Sequence, residues 1–179
     1  MEEFEDLTFL LQAMSVRAAK IITETVKMIA ADQSPKKVQD NETMAQAKLT
    51  MVRAHMSYLA IFIFYSELKD IQFKDKRITA ILTDLGKVAA LRSLISDCAH
   101  CYDSGFFAAG ATQNMSKAFD NIVKKLRPQL IPLVESYDLP DFTLMSSIGN
   151  SFGDIYENQL DLAMDAPMNR TKDAIPSYF

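Results

Sequence analysis

Glycine and proline are scarce, five and six in 179 residues. So few turn formers leave little room for the many short strands of an all-β protein. Cysteine is rarer still: Cys98 and Cys101 are too few for a disulfide framework and fit a reducing compartment. No block of one charge exists either. The net charge of −4 comes from interspersed signs, so no field steers nucleic acid and no polybasic segment holds a membrane surface. The opening run Met1 to Asp6 is acidic where a secretory or organellar presequence would be basic, and no apolar signal core follows it. An intracellular protein is therefore expected. There is no internal repeat and no low-complexity segment.

What is present is Ala, Leu, Met, Lys and Gln in abundance, as helix propensity favours. The length and the 49% hydrophobic content suit one domain with a real core. The expectation is a single all-α domain over 1–179, with 165–179 as a loosely held tail. Its organising stretch is Thr50 to Leu68, apolar on every side and densest from Tyr58 to Tyr65. Thr43 to Asp70 contains no Gly or Pro, about 42 Å at the helical rise, which is far too long for a strand. Arg53, His55 and Glu67 keep the apolar run well short of the roughly 20 residues a bilayer needs. A helix apolar all round needs neighbours all round, so this one is expected at the centre of the bundle.

Four more main helices are predicted around it. Leu7, Leu10, Leu11, Met14, Ala18, Ile21, Ile22 and Ile29 recur at helical spacing until the breaker cluster Asp32-Gln33-Ser34-Pro35. Lys36 to Glu42 reads as a polar linker. A third stripe runs from Ile78 to Cys98 and closes near Asp103, and a fourth begins at Met115. Pro128 should kink that helix near Leu126, with the helix resuming to Tyr137. The last runs from Ile155 to Met164, opened by Asp154 and Glu157 as a capping box and stopped by Pro167.

Few residues carry chemistry. Cys98, His100 and Cys101 would be soft metal ligands, but no fourth ligand is available, so they read as small buried thiols closing a helix. Gly105 to Gly110 has the glycine spacing of a phosphate loop with Ala111 where the lysine should stand, and Gly149 and Gly153 follow no strand. Asp154 and Glu157 are explained as a cap without acid and base work, His55 as a core histidine, and Lys124, Lys125 and Arg127 as a solvated face. No catalytic, cofactor-binding or metal residue is assigned.

Longer signatures point to a family. Leu126-Arg127-Pro128 followed by Leu133-Val134-Glu135-Ser136-Tyr137-Asp138-Leu139-Pro140-Asp141 resembles the LRP and LVDAF-LPD passage near the end of acyl-CoA oxidases. Ile148 to Glu157 is similar to that family's LGRYDGNVYE, with Asn150 and Phe152 in place of Arg and Asp. Ala166-Pro167-Met168-Asn169 is similar to its SPLN. The resemblance marks Gly149, Gly153, Asp154, Tyr156, Glu157, Pro167 and Asn169 as structural motif residues. Leu10-Leu11-Gln12-Ala13 with Val16-Arg17-Ala18-Ala19, and the Ala54-His55 pair, resemble the same domain's opening, so nearly the whole chain is covered.

The resemblance implies the last helical domain of a peroxisomal FAD enzyme that oxidises acyl-CoA to trans-2-enoyl-CoA in fatty acid β-oxidation and yields hydrogen peroxide. Nothing matches the family's flavin-binding or catalytic domains, so no FAD is expected on this chain alone. Its implied partners are those domains or another protein subunit, in a homo- or hetero-oligomer, with no nucleic acid and no membrane span. The final Ser177-Tyr178-Phe179 is not a Ser-Lys-Leu type of peroxisomal address. Two readings follow: the C-terminal part of an oxidase, or a stand-alone interaction or assembly subunit that kept the fold.

Overall fold

A computed structural model describes residues 2–144, 146–149 and 153–170. Every regular element among them is helical, and no strand occurs. The chain divides into two compact units, Met1–Gln129 and Leu130–Phe179.

The first unit is built on α1, Leu7–Ala31, which packs against α3 (Ala45–Asp70), α4 (Lys76–Ser96) and the short α5 (Ala99–Asp103). Asp6 opens α1 in extended conformation, and its carboxylate accepts the Thr8 N–H at 3.0 Å, which satisfies one of the free amides of the first turn. Leu7, Leu10 and Met14 of α1 are fully buried, together with Leu91 and Leu94 of α4 and Met115 of α6, Ala111–Leu126. Phe4, in a 3₁₀ turn over Glu2–Glu5, packs edge-on against Phe9 and Phe107 and closes one end of this core.

Two expectations change here. α3 forms over the predicted residues, but it is not buried on most faces: only Ala54 and Leu68 are buried, and α1 holds the centre instead. Apolar residues all round a helix say that partners are needed, not that this chain supplies them all. The polar linker is also more ordered than expected. Lys36–Val38 forms one helical turn, α2, and Gln39–Thr43 a π turn. Asp32 organises the join: its carboxylate accepts the Ser34 N–H at 2.8 Å and the Thr43 hydroxyl at 2.6 Å, and its carbonyl accepts the Gln39 amide at 2.7 Å. The Thr43 and Ser34 bonds hold that carboxyl below its usual range.

The third stripe is likewise interrupted. α4 stops at Ser96, Asp97 is extended, and Cys98 stands at the start of α5. Gly86 brings α4 close to α3, since a Cβ there would meet the Phe64 ring at 3.1 Å. At the far end, α6 gives way to a 3₁₀ turn over Arg127–Gln129, where Pro128 offers no N–H.

The second unit contains α7 (Leu130–Glu135), α8 (Asp141–Leu144), α9 (Ile155–Asp165) and α10 (Pro167–Arg170). α7 ends before the expected Tyr137, at a turn in which Asp138 takes a left-handed φ of 49°. Pro167 is the first residue of α10, where its fixed φ suits a helix start. Asn150, Phe152 and residues 171–179 of the expected tail lie outside the described residues.

Candidate interaction surface

α3 carries two apolar stripes. Ala54, Tyr58, Ile61, Tyr65 and Leu68 alternate at four- and three-residue steps, with Ala54 and Leu68 buried and Tyr58, Ile61 and Tyr65 packed against the core. Leu49, Val52, Met56, Leu59 and Ile63 repeat the same rhythm. At 100° per residue the two rows lie roughly half a turn apart, on opposite faces. Four of its five members are open: Val52 is 50% exposed, Met56 53% and Ile63 49%, with Leu49 also exposed, while Leu59 is half-buried. Each row has the spacing that packs one helix into the grooves of another. Arg53 and Glu67 flank the open row, and a contiguous apolar strip with a charged rim is the signature of an association surface.

The face is held in place from α1 and α4. Tyr65 reaches the Thr8 hydroxyl at 3.4 Å. Below them Arg17 is 3% exposed and ties α1 to the end of α4: Nη1 donates to the Ser93 carbonyl at 2.7 Å and the Asp97 carbonyl at 3.0 Å, and Nη2 to the Ser93 hydroxyl at 2.8 Å. The last carbonyls of a helix lack intrahelical partners and carry its negative dipole end, so a cation belongs there. Burial lowers the pKa of Arg17, while the Asp97 charge opposes the shift.

The other titratable groups are placed separately. Asp84 is buried, with Lys125 Nζ at 2.5 Å and Lys87 Nζ at 3.3 Å. Lys125 therefore joins α6 to α4 and is not simply part of a solvated face. Cys101 is buried, its thiol directed to the Ala13 carbonyl at 3.5 Å, and burial raises its pKa to about 11. Cys98 lies 3.9 Å from the Thr112 hydroxyl, and His100 Nε2 3.4 Å from Glu24. Among the described residues these side chains form no cluster of three metal-ligating groups. His55 is exposed on α3 and is no core histidine.

The motif residues fall in the second unit, where Gly149, Gly153, Pro167 and Asn169 shape local turns and helix ends. Gly153 has a φ of 80°, a left-handed conformation suited to glycine. A Cβ on Gly149 would come within 2.8 Å of Leu144 Cδ1, so this glycine makes room for a side chain of its own chain and forms no phosphate cradle. Asp154 stands at the N-cap just before α9, yet its side chain makes no cap bond. Its ψ of 57° departs from the extended backbone of the working caps at Asp6 and Asp75, so the expected capping box is not formed. Glu157 and Tyr156 are exposed, Tyr156 by 86%. Asn169 donates from Nδ2 to the Ala163 carbonyl at 2.6 Å and closes the end of α9.

Sequence reasoning missed Arg17, Asp84 and the caps at Asp6 and Asp75. The caps had a signal, an Asp just ahead of each periodic stripe. For Arg17, nothing in its surroundings distinguishes it from a surface arginine.

A family model described as "Acyl-CoA oxidase" matches residues 6–179. Peroxisomal acyl-coenzyme A oxidase 1 of Rattus norvegicus is 25% identical over 175 residues, covering 96% of this chain and 26% of that protein. The namesake from Dictyostelium discoideum is 28% identical over 131 residues, covering 71% of this chain and 18% of that protein. Acyl-CoA oxidase 1 of Arabidopsis thaliana has the same fold with a TM-score of 0.79 at 18% identity, over 96% of this chain and 26% of that one. For acyl-CoA oxidase-1 of Caenorhabditis elegans, solved with FAD and ATP, the TM-score is 0.77 at 20% identity, over 96% and 26%. The chain thus spans about a quarter of the relatives it matches.

Proposed function

The chain belongs to the acyl-CoA oxidase family, and from that premise we propose that it serves as the C-terminal helical domain of an acyl-CoA oxidase-like flavoprotein, supporting packing and assembly with no catalytic residue of its own. The observation that carries this is the open face of α3, Leu49, Val52, Met56 and Ile63, backed by an ordered core on the opposite side. The occupant of that face is the flavin-binding and catalytic part of the oxidase, on the same chain or on a second one. The substrate of the assembled enzyme is an acyl-CoA and its compartment the peroxisome, by analogy with the peroxisomal acyl-CoA oxidases it resembles.

Flavin does not fit the residues described here. A dinucleotide cradle needs a strand running into a glycine turn and helix, and Gly149 is instead filled by Leu144. Removing the α proton of a thioester also needs a positioned carboxylate base. Asp84, the buried carboxylate of the first unit, is occupied by two lysines. FAD in the assembled enzyme therefore belongs to the other domains, which supply the redox chemistry.

The test is twofold. Sequencing the transcript upstream of Met1 should reveal an in-frame flavin domain, or a second gene for one should be present. The purified chain should be colourless and release no peroxide from acyl-CoA, yet restore peroxide release when mixed with the separately produced flavin-bearing portion. Bound flavin with turnover by the chain alone would overturn the proposal. Tight capture of an unrelated protein, without restored activity, would favour the stand-alone assembly subunit.

A further inference from the structure

Both thiols of the first unit are free. Cys98 opens α5 instead of closing the helix before it, and the Cys101 N–H donates to the Cys98 carbonyl at 3.0 Å. That bond closes one turn between the two cysteines. The ends of such a turn lie within about 7 Å between Cα atoms, the span a disulfide bridges. The thiols differ in access: Cys98 is half-buried, while Cys101 is buried with its Sγ 3.5 Å from the Ala13 carbonyl. A small oxidant therefore meets Cys98 first, and Cys101 is reached from Cys98 and not from solvent.

The surroundings of Cys98 suit a thiolate. Its Sγ stands 3.9 Å from the Thr112 hydroxyl, which is 2.8 Å from the Tyr102 hydroxyl, and Tyr102 accepts the Thr112 N–H at 2.9 Å. A thiolate only accepts, so Thr112 then donates to it and Tyr102 donates to Thr112, and all three contacts are kept. Hydrogen bonding to the charged form favours that form. Arg17, bonded to the carbonyl of the neighbouring Asp97 at 3.0 Å, adds a fixed positive charge that acts on both thiols.

We infer that Cys98 and Cys101 form a peroxide-responsive dithiol, with Cys98 as the attacking sulfur, Cys101 as the resolving one and Thr112 as the positioning residue for the Cys98 thiolate. In the first step the Cys98 sulfur bonds to one oxygen of hydrogen peroxide, the O–O bond breaks, and the departing hydroxide takes a proton and leaves as water. The Cys101 sulfur then attacks the sulfenic acid at Cys98: the S–S bond forms, the S–O bond breaks, and a second water leaves with the Cys101 proton. The two thiols lose two electrons and the peroxide is reduced to water. Burial keeps Cys101 protonated at neutral pH. Proximity offsets the scarcity of its thiolate, since groups held in one turn react as if at very high concentration. The inference rests on the first unit alone and is independent of what covers α3.

The probe is hydrogen peroxide added to the purified 179-residue chain under native conditions, followed by unfolding, alkylation and mass spectrometry of the cysteine peptides. One intramolecular disulfide, removed again by dithiothreitol, is expected. Cys101→Ala should stop at a sulfenic acid on Cys98 that dimedone captures, and Cys98→Ala should leave Cys101 reduced over the same interval. If Cys101→Ala does not fold, Cys98→Ala and the parent still decide. Thr112→Val should slow the oxidation about threefold, because the lost thiolate is partly offset by the greater nucleophilicity of what remains, and Thr112→Ser should restore the rate. A parent whose thiols stay reduced, that goes on to sulfinic acid at Cys98 without a bridge, or that bridges only between two chains would overturn the inference. Oxidation of Cys101 in Cys98→Ala at the parent rate would do the same, and an unchanged rate in Thr112→Val would overturn the place given to that hydroxyl.

Discussion

Arg17 holds Ser93 at two points, the carbonyl through Nη1 at 2.7 Å and the hydroxyl through Nη2 at 2.8 Å. This joins α1 to the last turn of α4. Arg17→Met keeps most of the apolar stem and strips the charge, leaving the Ser93 and Asp97 carbonyls without their donor. Hydrogen bonds to charged groups are worth more than neutral ones, so a loss of about 3 kcal/mol is expected in urea unfolding. Adding Ser93→Ala should cost less than its effect in the parent, because the two groups share one bond.

The helix caps separate position from chemistry. Asp6→Ala removes a formed cap bond and should cost about 1 kcal/mol, read as a lower unfolding temperature. Asp154→Ala removes a residue at the same helix position whose side chain makes no cap bond, and the change should stay within about 0.5 kcal/mol. Equal losses at both sites would contradict the account of α9.

The two thiols should differ in reactivity. With its pKa raised to about 11 by burial, Cys101 is thiolate in only about one molecule in a thousand at pH 8, and the thiolate is the reactive form. A thiol reagent at that pH should modify half-buried Cys98 first and Cys101 only after unfolding. Burial disfavours the charged form, so raising the pH towards 11 should speed Cys101 in the native protein. Mass spectrometry of the modified peptides reads the order directly.

Much of this fold is legible in the residues, and the exceptions share a cause. The stripe from Leu7 to Ile29 predicts α1 almost to its ends, because periodicity and the breaker at Asp32 to Pro35 are local. The break of α4 after Ser96 is invisible in sequence, since Arg17, 76 positions away from Ser93, sets the local hydrogen bonding. Asp154 has the right residue type for a cap and the wrong ψ, which the following helix alone does not dictate. Thr50 to Leu68 is the instructive case. Its two apolar rows predict burial on both sides, and the pattern does not distinguish a partner within the chain from one outside it.

The family resemblance was carried by turn and terminus signatures, Leu126-Arg127-Pro128 and Ile148 to Glu157, more than by any chemistry-bearing residue. That follows from what the described motif residues do. Gly153 permits a left-handed turn, Gly149 accommodates Leu144, Pro167 starts a helix and Asn169 ends one. Requirements of that kind are written into single positions. The apolar face, by contrast, is spread over Leu49, Val52, Met56 and Ile63, any of which resembles a core residue until the fold leaves it uncovered.

The open row of α3 is the central claim, and the double substitution Val52→Glu, Met56→Lys tests it most directly. The two new side chains stand four residues apart with the acid first, an arrangement that supports the helix, so circular dichroism and Tm should stay near the parent values. The measurement is sedimentation of the chain titrated with the separately produced flavin-binding and catalytic portion of its oxidase. The parent should form a stoichiometric complex, and the double variant should fail to do so while remaining folded. Equal association by both proteins, or a parent chain that stays monomeric and unassociated at all concentrations, would contradict the account.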